Sequence, residues 1–173
     1  LELALPVDIS TAPQSSIRGH QLGYRSTANS WDAWTVQQFD QYIRELAFFG
    51  INAIENIPAE DNRKNPLMKY SRREMNKAMG EICARYGVDY WLWTPAPFDL
   101  NDKEKRADLL RRMNQLFDDV PQIGGIFFPG GDPGDNAPDL VLGFLEELAT
   151  HMRRSHKETK IWLSLQGFSK EKA

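Results

Sequence analysis

Carboxylate side chains follow two of the apolar segments of this sequence. Glu55 comes at the end of the second apolar segment, and Asp132 and Asp135 come directly after the fourth. Paired carboxylates can act as general acid, general base or nucleophile in bond-breaking reactions. The sequence therefore predicts Asp132, Asp135 and Glu55 as the catalytic candidates.

Each of these carboxylates also has a structural alternative. Asp135 and its neighbour Asn136 are suitable N-caps for the helix that should follow. Asp132 lies before that cap, where Gly130 and Gly131 permit a tight backbone turn at the strand end. Asp132 is therefore the carboxylate that the sequence favours most as a functional group.

A second set of side chains suits binding. Guanidinium groups clamp carboxylates or hydroxyls, and tryptophan faces suit the C–H faces of a sugar ring, although tryptophans also fill cores. Side chains two residues apart on a strand point the same way, so Arg18 and His20 are expected to enter one concavity with the carboxylates, unless His20 is a hydrogen-bonded structural residue. The candidate binding residues are Arg18, His20, Tyr24, Arg25, Asn56, Trp31, Trp93 and Gln166.

The sequence lacks the motifs that several kinds of catalytic and binding site require. No His, Cys and Asp residues have the spacing of metal ligands. The GxSxG elbow of hydrolases that use a Ser/His/Asp triad is also absent. The phosphate-binding patterns GxGxxG and GxxxxGK[ST] are also absent. We expect no metal and no cofactor, and Cys83, the only cysteine, is predicted to be inert on a buried helix face.

Composition restricts the partners. The chain has 173 residues and a formal net charge of −3, which excludes a broadly basic nucleic-acid binder. No apolar run approaches the length of about 20 residues that a membrane span needs. We therefore expect no nucleic-acid partner and no membrane span.

The elements that must position these residues alternate between strand and helix. Apolar segments that predict strands begin about 35 residues apart, and a helical pattern lies between each pair. Thr35 with Gln38 and Ser71 with Glu74 form capping boxes, and Asn136 with Pro138 is predicted to start the last helix. The predicted strands cover residues 16–23, 51–57, 88–93, 123–128 and 160–165.

Two α/β architectures fit this alternation, a doubly wound open sheet and a (β/α)₈ TIM barrel interrupted after its fifth strand. Only eight residues follow the fifth predicted strand, too few for a terminal helix, and the phosphate loops of open sheets are absent. We therefore predict parallel (βα)₄β₅ units in the order 1-2-3-4-5. Residues 1–15 are expected to be a lead-in from an upstream accessory domain or linker, and residues 16–173 an incomplete TIM-barrel catalytic domain with open edges that favour self-association.

Four segments resemble a known group of enzymes. They are RGHQLGYR at 18–25, GINAIENIP at 50–58, YGVDYWLWTP at 86–95 and IGGIFFPGGDPGD at 123–135. Together they resemble the catalytic barrels of glycoside hydrolases, of the family 20 β-hexosaminidase-like and α-glucuronidase-like kinds. In family 20 a Gly-Gly-Asp-Glu motif ends the fourth strand, its Asp orienting the substrate and its Glu acting as general acid. Gly130, Gly131 and Asp132 match three of these positions, and Pro133 replaces the acid.

The resemblance implies a carbohydrate substrate, a hexosaminide or a uronide, and an extracellular or periplasmic location. It leaves two functions open. One is a glycoside hydrolase whose proton donor lies elsewhere than position 133. The other is a non-catalytic carbohydrate-binding or scaffold barrel that lacks the general acid.

Overall fold

Five parallel strands alternate with four helices in the computed structural model, which describes residue 8 and residues 10–22, 33–56 and 66–168. We number the elements of these residues in chain order. The strands are β1 (Gly19–Gln21), β2 (Ala53–Asn56), β3 (Asp89–Trp93), β4 (Gly125–Phe128) and β5 (Lys160–Leu163). The helices are α1 (Val36–Phe48), α2 (Arg72–Arg85), α3 (Lys103–Asp119) and α4 (Pro138–Met152).

The strand order is β1-β2-β3-β4-β5, with every neighbouring pair parallel. Connections between parallel strands are right-handed, so sequential strands joined in this way place all their helices on one face. A doubly wound sheet instead reverses direction at an internal strand. The prediction of the first (βα)₄β₅ part of a TIM barrel is therefore confirmed, with the helices outside and an inner face on the other side of the sheet.

Local signals decide where most helices begin. The capping boxes at Thr35 and Ser71 are both present, which confirms those two predictions. Asp102 caps α3 through its side chain. The predicted cap at Asn136 is wrong: the N-cap of α4 is Ala137, without a side-chain hydrogen bond, and Pro138 occupies the start of the helix as expected. The side chain of Asn136 is used elsewhere.

The hydrophobic core lies between the sheet and the helices. Ile54, Tyr90, Leu92, Ile126 and Phe128 point outward from the strands and are fully buried. They contact apolar side chains that recur at helical spacing on the inner faces of the helices, among them Phe39, Ile43, Met79, Leu109, Met113, Phe144 and Leu148. Burial of each such side chain stabilises the fold by about 1.5–3 kcal/mol.

The lengths and hydropathies of the helices also bear on membrane insertion. Among the helices of the described residues, none is both long enough and apolar enough to cross a membrane.

Candidate functional site

The inner face of the sheet forms the wall of an open cavity of about 300 Å³. Because side chains alternate along a strand, the residues between the core-facing ones point into this cavity. Its size is at the lower end of the range for small-molecule sites. The residues that line it are Ile17, Gly19, His20, Gln21, Ala53, Glu55, Trp91, Phe127 and Trp162.

Glu55 is the carboxylate of this cavity. Its Oε2 accepts a hydrogen bond of 2.9 Å from Nε2 of Gln21, the residue opposite it on β1. Its Oε1 is buried and has no hydrogen-bond partner among the described residues. Burial raises the pKa of Glu55 because the charged form loses hydration, and the Gln21 hydrogen bond opposes this rise. The side chain therefore retains its proton to higher pH than an exposed glutamate does.

Two tryptophans form the aromatic part of the wall. The rings of Trp91 and Trp162 meet edge to face with centroids 5.2 Å apart. Trp91 is 9% exposed and Trp162 is 46% exposed, so the first is mostly packing and the second presents a free face. Trp91 lies against β4 at Gly125, where a Cβ atom would be 2.6 Å from Cδ2 of the indole. The glycine at position 125 therefore makes room for this ring.

The loop after β4 meets the loop after β5 at the carboxyl end of the sheet. Nε2 of Gln166 donates a hydrogen bond of 2.6 Å to Oδ2 of Asp132. The backbone N–H of Gly131 donates to the carbonyl of Gln166 at 2.9 Å. Any Cβ on Gly130 would lie 2.6 Å from that same carbonyl. The glycines thus allow two backbones to approach closely and hold Asp132 beside Gln166.

Asn136 connects the β4 loop to the loop after β3. Its Oδ1 accepts from the backbone N–H of Leu100 at 2.8 Å, and its Nδ2 donates to the carbonyl of Phe98 at 2.9 Å. Asp135, immediately before it, is exposed and has a φ of 50°. The side chain of Asn136 fastens the two loops together, which explains why it does not cap α4.

The structure contradicts the predicted positions of Arg18 and His20. Arg18 lies before β1, at the amino end of the strands, and its Nε donates to the carbonyl of Gly50 at 2.6 Å. The ring of His20 is turned toward the helices, with Nε2 2.9 Å from the hydroxyl of Tyr42 on α1. The ring of His20 thus faces the helices, and Arg18 is held at the opposite end of the strands from the predicted site.

Asn56 is a further correction. It is 2% exposed and points toward the helices, where Nδ2 lies within hydrogen-bond distance of the Tyr90 hydroxyl and Asn76 Oδ1. Trp93 is half-buried on the inner side of β3, opposite Phe127. The other predicted binding residues, Tyr24, Arg25 and Trp31, lie outside the described residues.

Sequence reasoning missed Gln21, Phe127 and Trp162 as site residues. Gln21 is adjacent to His20, so the wrong choice of strand side for His20 excluded it. The sequence did contain a signal for Trp162. Residues two positions apart on a strand point the same way, so Trp162 was expected on the same side as Gln166, four positions later. Phe127 lacks such a signal, since its neighbours on β4 are equally apolar.

A metal centre has no candidate ligands here. Within residues 10–22, 33–56 and 66–168, no group of three or more His, Cys, Asp and Glu side chains is arranged to hold a metal ion.

Comparisons with known proteins show only distant structural likenesses. No protein family profile matches the sequence, and no curated protein matches it. Among solved structures, an endoglucanase of Pseudomonas stutzeri is similar, with a TM-score of 0.46 and 14% sequence identity. The match covers 75% of this chain and 43% of that chain, so the chain spans less than half of the endoglucanase. The fold assignment rests on the strand order and register described above.

Proposed function

We propose that this chain is a glycoside hydrolase-like barrel domain that binds carbohydrate on the inner face of its sheet and cleaves it there. The observation that carries the proposal is Glu55, a half-buried carboxyl group with a raised pKa in a cavity that Trp91 and Trp162 line. A carboxyl group in apolar surroundings is the usual source of a proton near neutral pH in glycoside hydrolysis.

Glu55 is assigned the role of general acid. Its raised pKa keeps a larger fraction protonated near neutral pH, and that proton can be donated to a glycosidic oxygen. Gln21 holds Oε2 through its amide, which restricts the rotation of the carboxyl group. The exposed face of Trp162 supplies a surface on which the apolar face of a sugar ring packs.

Asp132 is assigned an orienting role at the carboxyl end of the sheet. It is held by Gln166 and lies on a loop that glycines fasten to the loop after β5. Pro133 has no acidic group and cannot serve as the proton donor that the resemblance places at this position. Asp135 is exposed on the same loop and is the third carboxylate to test.

Pro133 also supports a second candidate function. A barrel without the expected general acid at this position can bind a glycan and leave it intact. In that case Glu55 and Gln21 are hydrogen-bonding groups for sugar hydroxyls. The alternatives for the bound sugar are a hexosaminide and a uronide, and both are suggested by the resemblance of the segment 123–135.

A panel of 4-nitrophenyl glycosides and soluble polysaccharides tests hydrolysis directly. Glu55→Gln should lower turnover by about 10²-fold or more, the usual effect of removing an acid–base group. We expect Asp132→Asn to lower turnover by about 10²-fold as well, through lost orientation. The matched control is Glu146→Gln, which makes the same chemical change on an exposed position of α4.

The outcomes separate the two candidate functions. Turnover by the wild-type chain that Glu55→Gln abolishes supports the hydrolase. Saturable binding without turnover supports the binding domain. A folded Glu55→Gln variant with undiminished hydrolysis removes Glu55 from the mechanism, and Asp132 then becomes the leading carboxylate.

Self-association is part of the proposal. β1 and β5 are the edges of the described sheet, and exposed strand edges pair readily with other chains. Trp162 and Ile17, on or next to these edges, are 46% and 44% exposed. Light scattering over a range of protein concentrations should show a mass above that of the monomer, and a monomer at all concentrations contradicts it.

A further inference from the structure

We infer that the cavity around Glu55 accepts a sugar unit that carries no carboxylate and discriminates against the corresponding uronate. This inference rests on the proposed function and narrows it, because it chooses between the two kinds of sugar that the sequence leaves open. It is carried by the distribution of charged side chains around the cavity.

The cavity wall contains an acid and no strong base. Among its described lining residues, Glu55 is ionisable and no lysine or arginine is present. His20 also lines the cavity, but its ring is bonded to Tyr42 on the helix side. A sugar carboxylate in this cavity would therefore approach Glu55 without a described cation to compensate it.

Four of the arginines that the structure describes form their contacts away from the cavity. Arg18 donates to the backbone carbonyls of Gly50 and Ser15 at the opposite end of the strands. On the helices, Arg73, Arg85 and Arg106 pair with acidic side chains of neighbouring helices. The guanidinium clamp that recognises sugar carboxylates in general is thus absent from the described part of this cavity.

A second described carboxylate lies at the carboxyl end of the sheet. Asp132 is half-buried at the carboxyl end of the sheet, and its described hydrogen-bond partner is the neutral amide of Gln166. A uronate near this end of the sheet would meet this second carboxylate. Clefts lined by charges of one sign repel ligands of that sign.

The polar groups of the cavity suit hydroxyls. Gln21 carries an amide that both donates and accepts hydrogen bonds, and an ionised Glu55 accepts them from hydroxyl groups. The aromatic faces pack against C–H groups and need no charge. An uncharged pyranose satisfies these groups, whereas a uronate brings a second anion into a partly desolvated space where like charges repel strongly.

The experiment compares matched pairs of ligands that differ only at C6. The probes are the methyl α- and β-glycosides of glucose and galactose and those of glucuronic and galacturonic acid. Binding to the full chain is followed by saturation-transfer NMR at a pH of about 8, where the uronates are ionised, and again at higher pH, which favours the ionised form of Glu55. We expect the neutral member of at least one pair to bind, and its uronate to bind at least tenfold more weakly.

Two variants assign the discrimination to Glu55. Glu55→Gln removes the charge with little change in shape, so the uronate should approach the affinity of its neutral partner to within about threefold. Gln21→Arg adds a cation beside Glu55 and should raise uronate affinity relative to the neutral sugar. The second variant keeps the test available if the first does not fold.

The possible failures are distinct. A uronate that binds as tightly as its neutral partner, or a difference that persists unchanged in Glu55→Gln, overturns the inference but leaves carbohydrate binding intact. If none of the probes binds, and none of the glycosides and polysaccharides of the hydrolysis panel binds either, the proposed function fails and the inference fails with it.

Discussion

Glu55 and Asn56 are consecutive residues of one strand, and they lie in two different environments. Glu55 points to the inner face of the sheet, where it has one hydrogen bond, from Gln21, and a buried oxygen without a partner among the described residues. Asn56 points to the helix side, where it, Tyr90 and Asn76 are bonded to one another. Adjacent positions on a short strand thus serve different purposes.

The difference separates stability from function. On the helix side, Asn56, Tyr90 and Asn76 bond to one another among buried apolar residues, although Oδ1 of Asn56 and Nδ2 of Asn76 have no partner among the described residues. On the inner face, groups are half-exposed and polar atoms are left available. Buried polar groups are normally hydrogen-bonded, and the unpartnered Oε1 of Glu55 belongs to a side chain that lines the cavity, where a ligand could bond to it.

Truncation of an aromatic residue on each side should give the largest contrast. Tyr90→Ala removes a fully buried ring and should lower the free energy of unfolding by about 3–5 kcal/mol. Trp162→Ala removes a half-exposed ring from the inner face and should lower it by about 1 kcal/mol or less. Urea denaturation of both variants measures the difference. Equal losses would show that the inner face is also part of the stabilising core.

Removal of a polar partner on each side should give a smaller contrast. Asn76→Ala leaves Tyr90 and Asn56 with fewer partners in a buried site and should cost about 1–3 kcal/mol. Gln21→Ala affects an exposed amide and should cost less than about 1 kcal/mol. Chemical denaturation measures the free energy of unfolding of both variants. If Gln21→Ala lowers it as much as Asn76→Ala does, the division between the two faces is contradicted.

The stability of the protein should depend on pH through Glu55. Because its pKa is raised in the folded state, the folded protein binds the proton more tightly than the unfolded chain does. The stabilisation is complete below the unfolded pKa and is lost as the pH rises through the folded pKa. Relative to Glu55→Gln, the wild-type chain should therefore lose stability as the pH increases across that interval.

Glu74 provides the opposite control for this measurement. Hydrogen bonds from Ser71 lower the pKa of Glu74, so its stabilisation is present above the unfolded pKa and is lost as the pH falls through the folded pKa. Denaturation curves for Glu74→Gln over the same pH series should differ from the wild type with the reverse sign. The same sign for both variants would refute the assignment of a desolvated Glu55.

The smallest effect on stability is expected at the contact between Gln166 and Asp132, in the loops that follow β5 and β4. Gln166→Ala removes the hydrogen bond to Asp132 from an exposed loop and should change the free energy of unfolding by less than about 1 kcal/mol. If Asp132 orients a ligand, the same variant should nevertheless weaken glycan binding or turnover severalfold. A thermal melt combined with a binding assay separates the two effects, and a change in stability without a change in binding makes Asp132 a loop-shaping residue.

The sequence alone determined the elements and their order. Capping boxes at Thr35 and Ser71 depend on residues three positions apart, so they can be read without the fold. Regular spacing of apolar segments, with room for a helix between each pair, led to parallel sequential strands. These signals are local or repeat along the chain, and the structure agrees with them.

Only the tertiary structure decided which side of each strand a residue occupies. Strands of three to five residues offer few positions in which an alternation between apolar and polar residues can be recognised, and an error of one position exchanges the two sides. That exchange moved His20 to the helices and placed Gln21 beside Glu55. Likewise Asn136 became a link between two loops instead of a helix cap, because its partners Phe98 and Leu100 lie almost forty residues away and only folding brings them within hydrogen-bond distance.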